Sequence, residues 1–502
     1  MTAPRVSRRY SLTTQAFWLL AAQTAGYFFS MVFPLVVVRL FSQAEYGTYK
    51  QAYLAIGHGQ TILGMGFSLS AFYFFPREPE RNGAVAFNIL IFCLAGGLVA
   101  LIALTLWPGI LVELFSNEQL RGCAPQIGGV ILFRLFSGFL EYVATARQDV
   151  KFSTIFIVCA QFTKSAVMLT AVWWSAKLAA LLYGSMIQGL LQALVLIWYL
   201  QRVFPGFWKR VDWELFRRQL SYGLPLGGAV VVFMVRAESH NYFVAHYVDA
   251  AAFAVYAVGC ASIPLVELVR SSVATVLMPH VSRLHHAGEH REILLVTLRS
   301  IRKLSTFYWP LYFFLLVMSQ EFITFLYTRR YAGSVRIFVI NLTLLPLTML
   351  VLDPVLRAFA EYRFFLIRLQ LILLAGMVAA LLIVLPAYGT MGAITVVVIG
   401  AVIEMGVTAS KVAEALKISW RDLKLASGIF KLGLAAAAAG GAAAVVRVFV
   451  NGYHPAIALA VCGAVFAPVY LLGAYFEPDT REDLQRLIAR GKQALRVSRA
   501  AG

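Results

Sequence analysis

The chain has 502 residues, of which 60% are hydrophobic and only 13% charged, yet its formal net charge is +19. A soluble domain arrangement of this length carries about 25% charged residues, and a nucleic-acid binder would explain the charge but not a mean hydropathy of +0.76. Soluble, fibrous and disordered classes are thereby excluded, and positive charge on an apolar chain points to the cytoplasmic loops of a polytopic membrane protein.

The first residues, MTAPRVSRRY, are basic like the start of a signal peptide, but the apolar stretch that follows, from about Phe17 to Leu40, is too long for a cleaved segment. It reads as a retained first spanning helix. A spanning helix needs about 20 mostly apolar residues. On that count helices are expected near 15–39, 50–75, 84–107, 127–146, 154–175, 179–200 and 223–245. A second set is expected near 253–279, 304–326, 337–358, 364–386, 391–411, 426–448 and 455–475. The expectation is therefore an all-α polytopic fold with 14 transmembrane helices.

An even number of crossings puts both termini on one side, and the charges choose the side. The segments at the N-terminus, 76–83, 145–153, 201–222, 280–303, 359–363, 411–425 and the C-terminus hold 28 Lys and Arg; the opposite segments hold 8. This asymmetry predicts an N-in, C-in topology.

The segment 204–220 interleaves Trp208, Trp213, Phe216 and Leu220 with Lys209, Arg210, Arg217 and Arg218, as a helix on an anionic leaflet would. Thr480 and Asp483 have capping-box spacing at the head of a basic amphipathic tail. The domains expected are residues 1–200 (N-lobe), 201–222 (amphipathic cytoplasmic linker), 223–425 (C-lobe), 426–475 (two further helices) and 476–502 (basic cytoplasmic tail). Residues 246–263 align without a gap on 39–56, and the helices they open end in similar Pro breaks, Pro76 and Pro279. Two six-helix lobes related by an internal repeat follow from that alignment, an arrangement in which transporters place substrate between the lobes.

Several motifs carry a resemblance. Glu45-Tyr46-Gly47-Thr48-Tyr49 is followed by Gly64-Met65-Gly66-Phe67-Ser68 and Phe74-Phe75-Pro76-Arg77. Tyr222-Gly223-Leu224-Pro225 leads to Leu277-Met278-Pro279, and Leu385-Pro386-Ala387-Tyr388-Gly389-Thr390-Met391-Gly392-Ala393 completes the series. In this order the chain resembles the polysaccharide-export branch of the multidrug/oligosaccharidyl-lipid/polysaccharide flippase superfamily. It departs at Thr328, where that family tends to have Gly. The resemblance implies a transporter that moves an undecaprenyl-pyrophosphate-linked oligosaccharide, an O-antigen or exopolysaccharide repeat unit, from inner to outer leaflet by alternating access. It also implies a bacterial inner membrane and a polymerase or other polysaccharide-assembly partner. Anionic phospholipids at the cytoplasmic face are expected partners; nucleic acid is not.

Ionisable side chains at membrane depth cost about 2.5–3.5 kcal/mol each on insertion scales, so each needs a reason. Twelve remain: Arg134, Glu141, Lys164, Arg236, Glu238, Glu267, Arg270, Asp353, Arg357, Arg368, Glu404 and Lys431. Glu267 with Arg270, and Asp353 with Arg357, share a helix face by spacing and can equally well be local ion pairs. A cationic cavity suits a pyrophosphate, and Arg270, Arg236, Lys164 and Arg134 are its expected lining, with Arg270 ranked first by the resemblance. Glu141, Asp353 and Glu404 are candidate coupling carboxylates or structural partners of a nearby Arg. Gln51, His58 and Gln60, on a glycine-rich helix, are either a polar cavity wall or hydrogen-bonded helix glue. No P-loop is visible, so an ion gradient or the membrane potential is the expected drive, without a cofactor.

His286 and His290 spell an inverted zinc-peptidase motif with Glu289, but with a glycine inside it and no surrounding domain. The competing functions are a drug or metabolite exporter of the same superfamily and, from a different class, a polysaccharide polymerase or ligase. The first would want an acidic residue in the first helix, and the second a large outer catalytic loop; neither is seen.

Overall fold

A computed structural model describes residues 33–209, 211–419 and 422–477. The body of the expected first helix and the basic tail with Thr480 and Asp483 lie outside these residues. The described residues are helical throughout, with no strand. Among the described residues eight helices are long and apolar enough to cross a membrane, or up to 10 if each of two bent pairs is one span. Many of their apolar side chains face outward, among them Val276, Ile383, Leu434 and Phe430, all more than two-thirds exposed. Such surface is stable only against lipid.

The chain divides into two units, residues 1–257 and 258–502. In the first, α1 (Gln43–Gly64) starts at a capping box: Ser42 Oγ accepts from Glu45 N–H, and the Glu45 carboxylate accepts from Ser42 N–H at 2.9 Å. It ends where Met65 (φ +43) and Gly66 (φ +59) turn left-handed. A short α2 (Ser70–Arg77) completes the run that the sequence suggested was one helix over 50–75. Gly is required at the facing position on another helix, because a Cβ on Gly227 would lie 1.6 Å from the Met65 carbonyl oxygen. The helices α3 (Asn82–Leu106), α4 (Gly109–Phe115), α5 (Ala124–Ala146), α6 (Val150–Trp174) and α7 (Leu178–Val203) follow. Four of these sit close to their expected bounds; α4 is a short helix of seven residues.

The helix expected from 223 begins earlier. Asp212 Oδ1 accepts from Leu215 N–H at 3.0 Å, and α8 runs unbroken over Trp213–Tyr247. Half of the expected amphipathic linker is thus the first turns of a long helix. Trp213 remains 66% exposed there, as an interfacial anchor would be. Asp249 then caps α9 (Ala250–Gly259) through Ala252 N–H at 2.7 Å.

In the second unit, α10 (Pro264–His286), α11 (His290–Val317) and α12 (Ser319–Tyr327) come first. The spans expected at 253–279 and 304–326 are bent pairs, α9 with α10 by 49° and α11 with α12 by 84°. The run expected at 337–358 is three short helices, α13 (Ser334–Leu342), α14 (Leu344–Thr348) and α15 (Asp353–Arg357). The next stretch, α16 (Arg363–Leu416), turns at Gly389 (φ +59, ψ −149), a conformation available to glycine. That turn separates the two spans expected at 364–386 and 391–411. Finally α17 (Ser427–Phe449) and α18 (Pro455–Tyr475) pack through Ala436, Ala439, Ala443, Ala458 and Cys462, small residues that let helix backbones approach.

Candidate functional site: a cationic cavity in the first unit

The side chains expected to meet membrane-buried charge fall into two groups. In the first unit a cavity of about 180 Å³ opens between α1, α5, α6 and α7. Gln60 comes from α1; Arg134, Ser137 and Glu141 from α5; Gln161 and Lys164 from α6; and Gln188 and Gln192 from α7. Arg134 and Glu141 are seven residues apart, so the 3.6-residue period returns both to one face of α5. Gln188 and Gln192, and Gln161 and Lys164, share faces for the same reason.

Neither Arg134, Lys164 nor Glu141 makes an ion pair among the described residues. Arg134 is held over the ring of Tyr53 at 5.3 Å, and the Tyr53 hydroxyl bonds Ser185 at 2.6 Å. Lys164 and Arg134 are close enough to act on one another electrostatically. Two like charges sharing a polar cavity repel, and an anion between them removes that cost. Arg offers a planar fork of donors and Lys a point charge, while four glutamines and a serine offer both donors and acceptors. This set can bind a phosphate together with hydroxyls.

Of the other two cationic candidates, Arg236 lies on α8 with its guanidinium 5.7 Å from the Phe233 ring, away from this cavity's lining. Arg270, in the second unit, forms a two-bond ion pair with Glu267 at 2.9 and 2.7 Å, the local pairing its spacing allowed. The candidate carboxylates separate likewise. Glu141 lines the cavity, Asp353 pairs with Arg357 at 2.8 Å, and Glu404 accepts from the Gln370 amide at 2.8 Å.

The glycine-rich α1 splits between its two readings. Gln60 lines the cavity, opposite Gly138. Gln51 is fully buried, accepts from Asn117 at 2.6 Å and donates to the Ala245 carbonyl at 3.5 Å. His58 Nδ1 bonds the Tyr242 hydroxyl at 2.6 Å.

Sequence reasoning missed the glutamines of α6 and α7. A polar residue recurring on one face of an otherwise apolar helix was the available signal. The zinc-peptidase spelling comes apart physically: His286 closes α10, His290 opens α11, and Gly288 (φ +73) turns the chain between them.

The profile of a family described as polysaccharide biosynthesis protein matches residues 36–336. The chain belongs to that family. No curated protein sequence matches it. Among solved structures, lipid II flippase MurJ in an inward closed conformation aligns with a TM-score of 0.67 at 14% identity, over 90% of this chain and 98% of that one. A variant of the Vibrio cholerae MATE transporter VcmN aligns with a TM-score of 0.57 at 12% identity, over 81% and 97%. A MOP superfamily transporter from Pyrococcus furiosus, whose binding pocket is described as reversed in polarity, gives 0.54 at 14%, over 82% and 98%. The chain is thus a multi-pass membrane protein of the polysaccharide biosynthesis protein family, with a fold shared with lipid II flippase MurJ and MATE transporters.

Proposed function

We propose that the protein is a flippase that carries an undecaprenyl-pyrophosphate-linked oligosaccharide across the bacterial inner membrane by alternating access. The observation that carries this reading is the cavity that Arg134 and Lys164 line together, neither with an ion-pair partner among the described residues. A pyrophosphate brings about two negative charges, and charge-assisted bonds to it are worth about 1.5–3 kcal/mol each. Glutamine amides beside the cations take the hydroxyls of the first sugar. Glu141, in the same cavity, keeps it from holding anions too tightly to release them. Arg236 and Arg270, expected as further lining, are not among this cavity's lining residues, and the reading does not depend on them. Fourteen helices, an N-in and C-in topology, lobes at 1–200 and 223–425, and a polymerase partner belong to the same proposal. The drive is an ion gradient or the membrane potential, worth about 2.3 kcal/mol per charge per 100 mV.

The test is a chromosomal Arg134→Ala, Lys164→Ala double variant in the native host, with membrane level monitored. Lipid-linked repeat units should accumulate at the inner leaflet while surface polymer disappears. Normal polymer with normal leaflet distribution would overturn the reading.

A further inference from the structure

Arg134 is held at its cavity by a ring rather than by a carboxylate. Among the described residues it makes no ion pair and no hydrogen bond, and its guanidinium lies over Tyr53 at 5.3 Å. Tyr53 does not itself line the cavity. It stands on α1 two turns before Gln60, and so on the same side of that helix. Its hydroxyl is engaged by Ser185 Oγ at 2.6 Å. Ser185 is 2% exposed and lies one turn before Gln188, on the face of α7 that lines the cavity. The Tyr53–Ser185 bond thus ties α1 to α7 beside the polar lining.

The ring is anchored from its own helix as well. Tyr49, one turn earlier, lies 4.7 Å from Tyr53. Tyr49 packs in turn against Tyr46, Phe41 and Phe33, at 5.6, 6.5 and 6.4 Å between ring centres. Tyr46 is fully buried, and Phe41 nearly so. An aromatic column therefore runs from the packed core of the first unit to the edge of the cavity and ends at a guanidinium.

The chemistry of the holder decides what the cation can do. A carboxylate attracts a guanidinium by taking its N–H donors, as Glu267 does with two bonds to Arg270. Charge and donor fork are then both occupied. A ring attracts the same cation through its quadrupole, worth about 0.5–2 kcal/mol, and takes no N–H. The donors of the fork stay free for an arriving anion. Holding the side chain in advance also reduces the rotamer freedom, about 2 kcal/mol for a free Arg, that anion binding would otherwise remove.

We propose that Tyr53 is the positioning residue of the anion site: its ring, fixed by Ser185 and the aromatic column, holds Arg134 in place with its donors open to a diphosphate. The holding of Arg134 rests on the contacts alone; its service to a diphosphate rests on the flippase reading above.

The experiment titrates inorganic pyrophosphate into the purified full-length protein in dodecyl maltoside micelles, by calorimetry. Tyr53→Leu should weaken binding about tenfold, and Tyr53→Phe, which keeps the ring, by less than about threefold. In an Arg134→Ala background Tyr53→Leu should have no further effect, because the cation it positions is gone. A merely structural tyrosine would weaken that double variant too. Undiminished affinity in Tyr53→Leu, equal losses in the Phe and Leu variants, or additive losses in the double variant overturn the proposal. The ring also has a spectroscopic signature. In isotope-labelled wild type the Arg134 Nε–H signal, identified by its disappearance in Arg134→Lys, should be shifted upfield by the ring. It should return downfield in Tyr53→Leu but not in Tyr53→Phe. An unshifted signal in the wild type overturns the holding contact, and that measurement needs no variant of Tyr53 to fold. A ring-shifted signal with no pyrophosphate binding by the wild type would instead sink the anion site of the flippase reading and leave the contact standing.

Discussion

The two units differ in how most of their membrane-depth charge is accommodated, Arg368 and Lys431 of the second apart. In the second, Glu267 meets Arg270, Asp353 meets Arg357, Glu404 meets Gln370, and Arg447 meets Glu321 at 2.8 Å. Each is settled by a neighbour on its own helix, or, for Arg447, on another helix of the same unit. In the first unit, Arg134, Lys164 and Glu141 share a cavity without an ion pair among the described residues. Locally paired charge is the usual way to make an ionisable residue tolerable in a bilayer. Charge left open on a polar cavity is retained for something that arrives from outside. The lesson is that function is to be sought in the first unit, although the residue that the resemblance ranked first, Arg270, lies in the second.

The largest effect that would sharpen this contrast is on export. Lys164→Ala and Arg134→Ala should each lower polymer export at least about tenfold, the cost of one charge-assisted contact. Arg270→Ala, which removes one member of a half-exposed ion pair, should lower it less than about threefold. Quantifying surface polymer against membrane protein level decides it, and equal losses would erase the distinction between the units.

Next in size are the backbone contacts of the first unit. A Cβ on Gly227 meets the Met65 carbonyl at 1.6 Å, and one on Gly47 meets the Ala250 carbonyl at 1.7 Å, whereas Gly228 faces open space. Gly227→Ala and Gly47→Ala should destabilise by about 1–3 kcal/mol, read as a fall in melting temperature in detergent, and Gly228→Ala should not. A smaller effect of opposite sign is expected in the second unit. Thr328 holds φ +76 and ψ 164, a region essentially confined to glycine. Thr328→Gly should therefore raise stability by about 1 kcal/mol; an unchanged or lower melting temperature would contradict the strain.

The smallest effect concerns Asp422, in the connection after Leu416. The Ser419 backbone N–H and hydroxyl both donate to its carboxylate at 2.9 Å, which holds its pKa below the ordinary aspartate range. A depressed folded-state pKa contributes stability above the unfolded value, and that contribution is lost as pH falls through the folded one. Asp422→Asn should thus narrow the difference in melting temperature between neutral and strongly acidic pH, by slightly lowering the neutral value and leaving the acidic one nearly unchanged.

Much of the architecture was legible because hydropathy and helix punctuation are local. The expected bounds at 84–107, 127–146, 154–175, 179–200, 426–448 and 455–475 all lie close to the observed helices. The errors have local causes too. Asp212 caps α8 ahead of the apolar run, and Met65 with Gly66 breaks a helix whose composition gave no warning beyond its glycines. The break at Thr328 was flagged by the departure from the family's glycine, though its left-handed backbone was not. The site was less legible because it is assembled from four helices. Arg134 and Lys164 were found as lone charges, but their sharing one cavity depends on helix rotation, which composition does not fix.

The dimensions of the cavity separate two tasks. A cavity that binds benzene measures about 150 Å³, so the roughly 180 Å³ between α1, α5, α6 and α7 has room for a diphosphate or one sugar ring, and not for a repeat unit. If it holds the diphosphate, the remainder of the glycan lies beyond these lining residues. Sugar preference then becomes a property of surfaces that never touch Arg134 or Lys164, free to diverge or be exchanged between relatives while the anchor stays the same.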